Sequence, residues 1–237
     1  MDDTPTVLDA DVVIVGGGLA GLTLALQLKQ RLAGLDVLVV ERQRHPVPEA
    51  THKVGESSVE IGGNYFDTVL GLREHLEARQ LKKFGFRFFF SEGRDSIDDC
   101  LELGASRYLS TPGWQLDRGV LENFLGEHAT AHGIRFLDGA VVRSIALGDG
   151  AAAHAVEFER DGKRHCARAR WLVDASGRAG LLKRQLGLAR DNAHDANAVW
   201  FRTAAKIDVD EWSDDPAFHA RCEVPNRWLS TSHLCGA

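Results

Sequence analysis

The chain has few of the features that mark metal-binding, nucleic-acid-binding or membrane proteins. Its four cysteines lie far apart without a Cys-x-x-Cys pair, and its ten histidines show no metal-ligand spacing, so no metal site is expected. The net charge is −6 and the basic residues are scattered, which predicts neither nucleic acid nor an anionic membrane as a partner. No apolar run is long enough to span a membrane, and the acidic, polar start gives no secretory signal. Together these absences predict a soluble cytoplasmic protein.

The most informative feature that is present is an apolar strand, residues 10–15, which runs into the turn Gly16-Gly17-Gly18-Leu19-Ala20-Gly21. Its β-branched residues predict a strand that is buried on both faces. An apolar helix follows the turn, and a second apolar strand, residues 35–40, ends at Glu41. This order of strand, glycines, helix, strand and acid predicts a dinucleotide-binding unit, in which Glu41 accepts hydrogen bonds from both ribose hydroxyls of the adenosine half.

The residues of the turn have separate roles in binding a dinucleotide. Gly16 permits the tight turn, Gly18 lets the backbone approach a pyrophosphate, and Gly21 allows the helix to pack closely on the strand. Leu19 and Ala20 open the helix, whose N-terminal N–H groups and partial positive charge favour phosphate. The turn is therefore predicted to hold the phosphates of the cofactor.

The chain after Glu41 leaves the alternation of strands and helices that a nicotinamide-binding domain usually keeps. Three helices are predicted before residue 132, and four strands lie between residues 134 and 171, with a hairpin turn at Asp161-Gly162. Because helices and then antiparallel hairpins follow the first two strands, the sequence favours FAD over NAD as the bound dinucleotide.

A second buried strand, residues 171–174, ends in the small and polar residues 175–177. Ligands meet an α/β sheet at strand ends of this kind. We therefore expect Asp174 and Gly177 to border the cofactor. The alternative for Asp174 is that it caps the helix that follows.

An aromatic strand is predicted over residues 84–90, with residues 101–108 as its partner. Its aromatic side chains are expected mainly in a core, although one face leaves room for a flat apolar substrate. Residues 199–207 resemble a strand of a different layer, which places a domain boundary near residue 190.

Several motifs occur in the order found in the FAD-dependent monooxygenase superfamily, and together they most resemble the flavin-dependent halogenases, the tryptophan-halogenase-like family. These motifs are the glycine turn, Gly55-Glu56-Ser57, Lys82-Lys83-Phe84-Gly85-Phe86-Arg87-Phe88, Trp114-Gln115-Leu116-Asp117-Arg118 and Val173-Asp174-Ala175-Ser176-Gly177-Arg178. The resemblance implies an α/β fold with α+β elements, a Rossmann-like FAD/NAD(P)-binding domain of the p-hydroxybenzoate-hydroxylase type with antiparallel hairpins. We expect this domain over residues 1–190 and the start of a substrate-binding domain over residues 191–237.

The resemblance gives one lysine a catalytic role. Halogenases carry a lysine in a Lys-x-Gly-x-x-Phe context, which Lys83 matches, although Phe86 stands where family variants have alanine. The implied mechanism uses reduced FAD, O₂ and halide to form hypohalous acid, which the lysine directs onto an electron-rich substrate as a haloamine or by hydrogen bonding. Burial would lower the pKa of such a lysine toward a reactive amine. The alternative is a solvated lysine between a helix and a strand, and Lys82 is an equal candidate.

The resemblance also implies which residues hold FAD. Residues 55–57 would lie near the isoalloxazine, or would form only a turn and a helix cap. Arg118 would contact the FAD phosphates, or would pair with a neighbouring carboxylate. The predicted cofactor-binding residues are Gly16, Gly18, Leu19, Ala20, Gly21, Glu41, Gly55, Glu56, Ser57, Arg118, Asp174 and Gly177.

The leading hypothesis is a flavin-dependent halogenase that uses FADH₂ from a separate flavin reductase, together with O₂, halide and a small-molecule substrate. A flavin hydroxylase or a geranylgeranyl-reductase-like enzyme on the same fold is the enzymatic alternative. A non-catalytic FAD-binding module is the alternative of another class. Family members continue with a Trp-x-Trp-x-Ile-Pro stretch that does not occur here, so we expect an N-terminal fragment that binds FAD weakly and does not turn over alone.

Overall fold

The computed structural model divides the chain into two units, each formed by two separate segments. The described residues are 4–51, 53, 55–107, 110–193, 203–223 and 227–235. The first unit consists of the described residues of 1–53 and 117–193, and the second of those of 54–116 and 194–237. The predicted domains, 1–190 and 191–237, divide the chain differently.

One six-stranded sheet forms the framework of the first unit. Its strands are β1 (Thr6–Val15), β2 (Val37–Val40), β7 (Arg135–Leu137), β8 (Ala140–Ala146), β9 (His154–Arg160) and β10 (Lys163–Asp174). The order across the sheet is β7-β2-β1-β10-β9-β8. The first four of these run parallel, whereas β9 is antiparallel to both β10 and β8. This arrangement confirms the predicted combination of a dinucleotide-binding unit with antiparallel hairpins.

Local sequence explains the strands of the first unit. The last four residues of β1 and all of β2 are buried, as expected for strands covered on both faces. The predicted turn at Asp161-Gly162 joins β9 to β10, and both residues have positive φ, which is the geometry of a tight hairpin turn. The two strands predicted over 165–171 and 171–174 form one continuous strand, because β10 pairs with β1 along its length.

The helices of the first unit are α1 (Leu19–Arg31), α4 (Arg118–Ala131) and α5 (Leu181–Gln185). A Cβ on Gly119 would overlap with the carbonyl oxygens of Pro48 and Glu49, so the first turn of α4 lies directly against that loop. Buried side chains of the parallel and antiparallel strands, among them Val13, Leu38 and Phe158, pack into one core cluster.

The second unit contains two small sheets and short helices. Its strands are β3 (Leu81–Lys83), β4 (Phe86–Phe90), β5 (Leu101–Gly104), β6 (Gly113–Gln115) and β11 (Thr231–Cys235). Its helices are α2 (Glu60–Asn64), which continues as a π-helical turn over Tyr65–Val69, α3 (Arg73–Arg79) and α6 (Pro216–Ala220). One sheet has the order β11-β4-β5, and the other pairs β3 with β6.

The aromatic strand and its partner are confirmed as β4 and β5, which pair antiparallel. On the other side of β4 lies β11, in parallel, so a strand from the end of the chain completes a sheet begun near residue 86. This pairing explains why the described residues of 54–116 and those after residue 194 belong to the same unit. The strand predicted over 199–207 begins outside the described residues, and its described part, 203–207, forms no strand.

Among the described residues, no helix is long and apolar enough to cross a membrane. The same residues contain no group of histidine, cysteine or acidic side chains that could hold a metal ion.

Candidate cofactor site and buried lysine

The glycine turn lies where β1 and β10 end side by side. Val15 pairs with Asp174, and the N–H of Ala175 donates to the Val15 carbonyl oxygen at 2.8 Å. Gly16 has a φ of +110°, and a Cβ there would overlap with the Ala175 carbonyl oxygen. The ends of β1 and β10, which were predicted separately as ligand-binding strand ends, are therefore neighbours at one edge of the sheet.

The start of α1 is shaped to leave its N-terminus open. A Cβ on Gly21 would overlap with the Gly16 carbonyl oxygen, so only glycine allows the helix to approach the turn this closely. Gly18 is the N-cap, and Leu19 and Ala20 are the first helical residues. Within the described chain, no side chain caps this helix and its first turn has no acidic residue. Both properties suit an anion at this end of the helix.

Glu41 follows β2 at the same edge of the sheet, and two backbone hydrogen bonds fix its side chain. The N–H of Gly17 donates to Oε2 at 2.6 Å, and the N–H of Gln43 donates to Oε1 at 2.7 Å. A carboxylate has about four acceptor positions, so lone pairs remain for ribose hydroxyls. Its role as the ribose ligand stays a prediction.

Arg118 forms the ion pair that the sequence analysis named as the alternative to a phosphate contact. Its Nε donates to Oε1 of Glu122, one helical turn later, at 3.0 Å. Lys53 pairs with the other oxygen, Oε2. The Glu122 side chain is only 1% exposed, whereas Arg118 and Lys53 keep 13% and 30% of theirs. Oε1 of Glu122 lies 3.8 Å from the position that a Cβ on Gly18 would take, so this cluster lies beside the glycine turn.

The sequence analysis missed Glu122 and Lys53. The signal that could have found Glu122 is its place on the apolar stripe of α4, next to the fully buried Leu121. An acidic residue on such a stripe needs a cationic partner, and Arg118 stands four residues before it. Nothing in the sequence near Lys53 points to Glu122.

Asp174 contacts the first turn of the helix that follows, which is the alternative role given for it above. Its Oδ1 accepts from the N–H of Ser176 at 3.0 Å, and its Oδ2 accepts from the N–H of Leu182, in the first turn of α5, at 2.8 Å. Burial acts to raise its pKa, but the hydrogen bonds from Ser176 and Leu182 outweigh it, and the pKa of Asp174 lies below its ordinary value. Gly177 has a φ of +62° in the turn that follows. Contact of either residue with the cofactor stays a prediction.

In the second unit, Lys83 is buried and Lys82 is exposed. The Nζ of Lys83 donates to Oγ of Ser57 at 2.6 Å and lies 4.4 Å from the centre of the Phe86 ring. Burial lowers the pKa of Lys83, and the nearby Glu60 carboxylate counteracts only part of this effect. Lys82 instead reaches Glu77 at 3.4 Å on the surface. The two lysines are therefore not equivalent, and only Lys83 has the environment expected of a reactive amine.

The segment 55–57 is brought to Lys83 by β6. Ser57 forms an isolated bridge with Gln115, and β6 pairs with β3, which ends at Lys83. The alternative of a helix cap is wrong, because α2 begins at Glu60 without a side-chain cap and Ser58 Oγ accepts from the N–H of Trp114 at 2.7 Å. Gly55 precedes Glu56 and has a φ of +89°, a backbone conformation that favours glycine. The proximity of these residues to isoalloxazine stays a prediction.

The family described as FAD binding domain matches residues 9–227, which is most of the chain. The chain belongs to this FAD-binding domain family. Its cofactor is FAD, and the Rossmann-like fold with antiparallel hairpins is the one that the resemblance implied. The residues of the glycine turn fit such a cofactor, because Gly16 and Gly21 have no room for a side chain and Glu122, which holds two cations, lies beside Gly18.

Relatives of this chain include halogenases and hydroxylases. The 1H-pyrrole-2-carbonyl-[peptidyl-carrier protein] brominase of Pseudoalteromonas luteoviolacea is 29% identical over 178 residues, 74% of this chain and 39% of the relative. The aklavinone 12-hydroxylase of Streptomyces peucetius is 28% identical over 194 residues, 77% of this chain and 38% of the relative. The structure of the halogenase PltM with phloroglucinol and FAD matches 95% of this chain and 46% of that chain, with a TM-score of 0.66 and 21% identity, which shows the same fold. The chain spans less than half the length of these relatives.

Proposed function

We propose that the protein is a flavin-dependent halogenase, which uses FADH₂, O₂ and halide to halogenate an electron-rich aromatic substrate. The observation that carries this proposal is the buried Lys83, whose amine is held by Ser57 and whose pKa is lowered by burial. The similarity to a brominase supports it. A separate flavin reductase would supply FADH₂.

The first unit has the residues to hold the cofactor. The glycine turn, with Arg118 and Lys53 beside it, would take the pyrophosphate, and Glu41 would take the ribose. FAD, when bound and reduced, supplies the redox chemistry that converts O₂ and halide into an electrophilic halogen.

Lys83 would pass this halogen to the substrate. Its lowered pKa increases the fraction of neutral amine, which is the form that accepts a halogen, whereas the ammonium form donates a hydrogen bond to hypohalous acid. Because the Ser57 hydroxyl accepts a hydrogen bond from Nζ, it fixes the direction in which the amine points. The rings of β4 offer a flat apolar surface to an aromatic substrate, and Phe86 is exposed at the lysine end.

Hydroxylation on the same fold is the second candidate, and the similarity to aklavinone 12-hydroxylase favours it. Both reactions consume FADH₂ and O₂, so the products must separate them. Because this chain is not expected to turn over alone, the longest protein that its gene encodes is incubated with FAD, a flavin reductase, NADH, bromide and a phenolic substrate, and the products are identified by mass spectrometry.

We expect brominated product from the wild type and from Lys82→Ala. Lys83→Ala is expected to form at least about 100-fold less, the usual loss when a group that handles protons in catalysis is removed. Hydroxylated product without brominated product in all three proteins would establish the hydroxylase instead. Brominated product at the wild-type rate in Lys83→Ala would contradict the role of the lysine.

A further inference from the structure

A buried carboxylate lies beside the turn that is predicted to bind phosphates, and this position is unfavourable for a negative charge. Glu122 Oε1 is 3.8 Å from the position of a Cβ on Gly18, and the side chain is almost fully buried. A lone carboxylate there would repel a pyrophosphate and would itself be costly to desolvate. Its presence therefore needs an explanation.

The explanation lies in the two cations that Glu122 holds. Arg118 and Lys53 bind opposite oxygens of the same carboxylate, so the cluster carries a formal charge of +1. Both cationic side chains stay partly exposed, while the carboxylate does not. The two cations of the cluster are therefore accessible to a ligand, whereas the glutamate is not.

Long cationic side chains lose much rotamer freedom when they bind a ligand, and this loss weakens binding. Arg118 and Lys53 have already lost that freedom in the folded protein, because the Glu122 carboxylate fixes both side chains. Lys53 comes from the loop after β2 and Arg118 from the start of α4, so a single residue brings together two distant segments.

We propose that Glu122 is a positioning residue for the pyrophosphate of FAD, which acts by holding Arg118 and Lys53 beside the glycine turn. The inference rests on FAD binding by this chain, as the proposed function does, but not on halogenation. Glu122 would therefore affect the binding of the pyrophosphate without contacting the ligand itself.

The test compares three ligands on the whole chain, with affinities measured by calorimetry at several salt concentrations. We expect Glu122→Gln to bind FAD and ADP at least about tenfold more weakly, because the two cations lose their shared anchor. Adenosine, which lacks phosphates, should bind with unchanged affinity. Glu127→Gln, the same change at an exposed position of α4, is the matched control and should bind all three ligands as the wild type does.

Each other outcome has a defined meaning. If Glu122→Gln bound FAD more tightly, the carboxylate would act only by repulsion, and the inference would be wrong. Equal losses for adenosine and ADP would show a general structural role and would also overturn it. Should Glu122→Gln fold poorly, Lys53→Met carries the test, because it must weaken ADP and FAD but not adenosine. A folded wild type that binds no FAD would overturn the proposed function itself.

Discussion

Each unit of the protein buries a glutamate between cationic side chains, and the two clusters differ in how far those cations are enclosed. In the first unit, the partners of Glu122 remain partly exposed beside the glycine turn. In the second unit, Glu102 pairs with Arg87 and Arg227, whose side chains are 2% and 0% exposed.

In the enclosed cluster, the guanidinium of Arg227 has its bonding capacity taken up inside the protein. Arg227 binds both oxygens of Glu102, at 2.8 and 3.2 Å, and also binds Asp210 and the carbonyl oxygen of Phe218. Such a network leaves Arg227 no face for a ligand. From this comparison we expect similar ion pairs to serve structure where the cations are sealed, and to be suited to ligand binding where they are open.

Among the substitutions that test this comparison, Arg227→Met is expected to have the largest effect on the free energy of unfolding. The change leaves Glu102 and Asp210 buried with fewer partners, so the free energy of unfolding should fall by about 3–5 kcal/mol. Urea unfolding followed by circular dichroism measures it. Arg168→Met, which removes the exposed pair with Asp9, should leave the free energy of unfolding nearly unchanged, because exposed ion pairs contribute little to stability. A loss as small as this in Arg227→Met would show that the enclosed cluster is not structural.

The next largest effect on stability is expected from a change that moves the glycine turn relative to the Glu122 cluster. Such a change leaves the charges of the cluster unaltered. A Cβ on Gly21 would overlap with the Gly16 carbonyl oxygen, so Gly21→Ala must displace α1 or the turn. We expect a stability loss of about 1–3 kcal/mol and loss of FAD binding in calorimetry. Gly34→Ala meets no atom within 4 Å and is the control. FAD binding at wild-type affinity in a folded Gly21→Ala would contradict the placement of the cofactor.

Asp174 extends the comparison to a carboxylate whose partners are backbone N–H groups instead of cations. Asp174→Asn should cost about 1 kcal/mol at neutral pH, as expected for a weakened helix cap. Because the folded-state pKa of Asp174 is lowered, its charge stabilises the protein above the ordinary carboxyl pKa, and this contribution is lost as pH falls through the folded value. The difference between wild type and variant should therefore shrink on acidification. The same difference at all pH values would refute this account, and Asp149→Asn, at an exposed turn, is the control.

The smallest effect concerns Lys83, a buried cation whose amine is held by a hydroxyl. Burial lowers its folded-state pKa, so between that pKa and the ordinary value the unfolded chain binds more protons and stability rises with pH. Lys83→Met should remove this part of the pH dependence, and Lys82→Met should keep it. Urea unfolding across the alkaline range measures the slope. Identical slopes in the two variants would mean that Lys83 stays charged when folded.

What the sequence predicts well are features that depend on nearby residues. The apolar strand, Gly16 to Gly21 and the hairpin at Asp161-Gly162 each specify their own backbone, and the structure confirms them. The ligand roles of Arg118 and Asp174 were left open between two alternatives, since a side chain's partner depends on tertiary packing.

Features that join distant residues could not be predicted in this way. Lys53 and Glu122 are 69 residues apart, and neither strand pattern nor spacing connects them. The parallel pairing of β11 with β4 joins residues more than 140 positions apart. Which segments form the second unit could therefore not be predicted either. The contact of Lys83 with Ser57 depends on β6, a strand of three residues with no clear period of its own.

The two backbone hydrogen bonds that fix Glu41 have a consequence for nucleotide selectivity, provided that Glu41 binds the ribose as predicted. A side chain held from Gly17 on one side and Gln43 on the other cannot swing away from the ribose edge. A phosphate on the 2′-oxygen would bring a second negative group against this immobile carboxylate. With Glu41 as the predicted ribose ligand, we expect the chain to discriminate against 2′-phosphorylated dinucleotides through repulsion, before any difference in attractive contacts is considered.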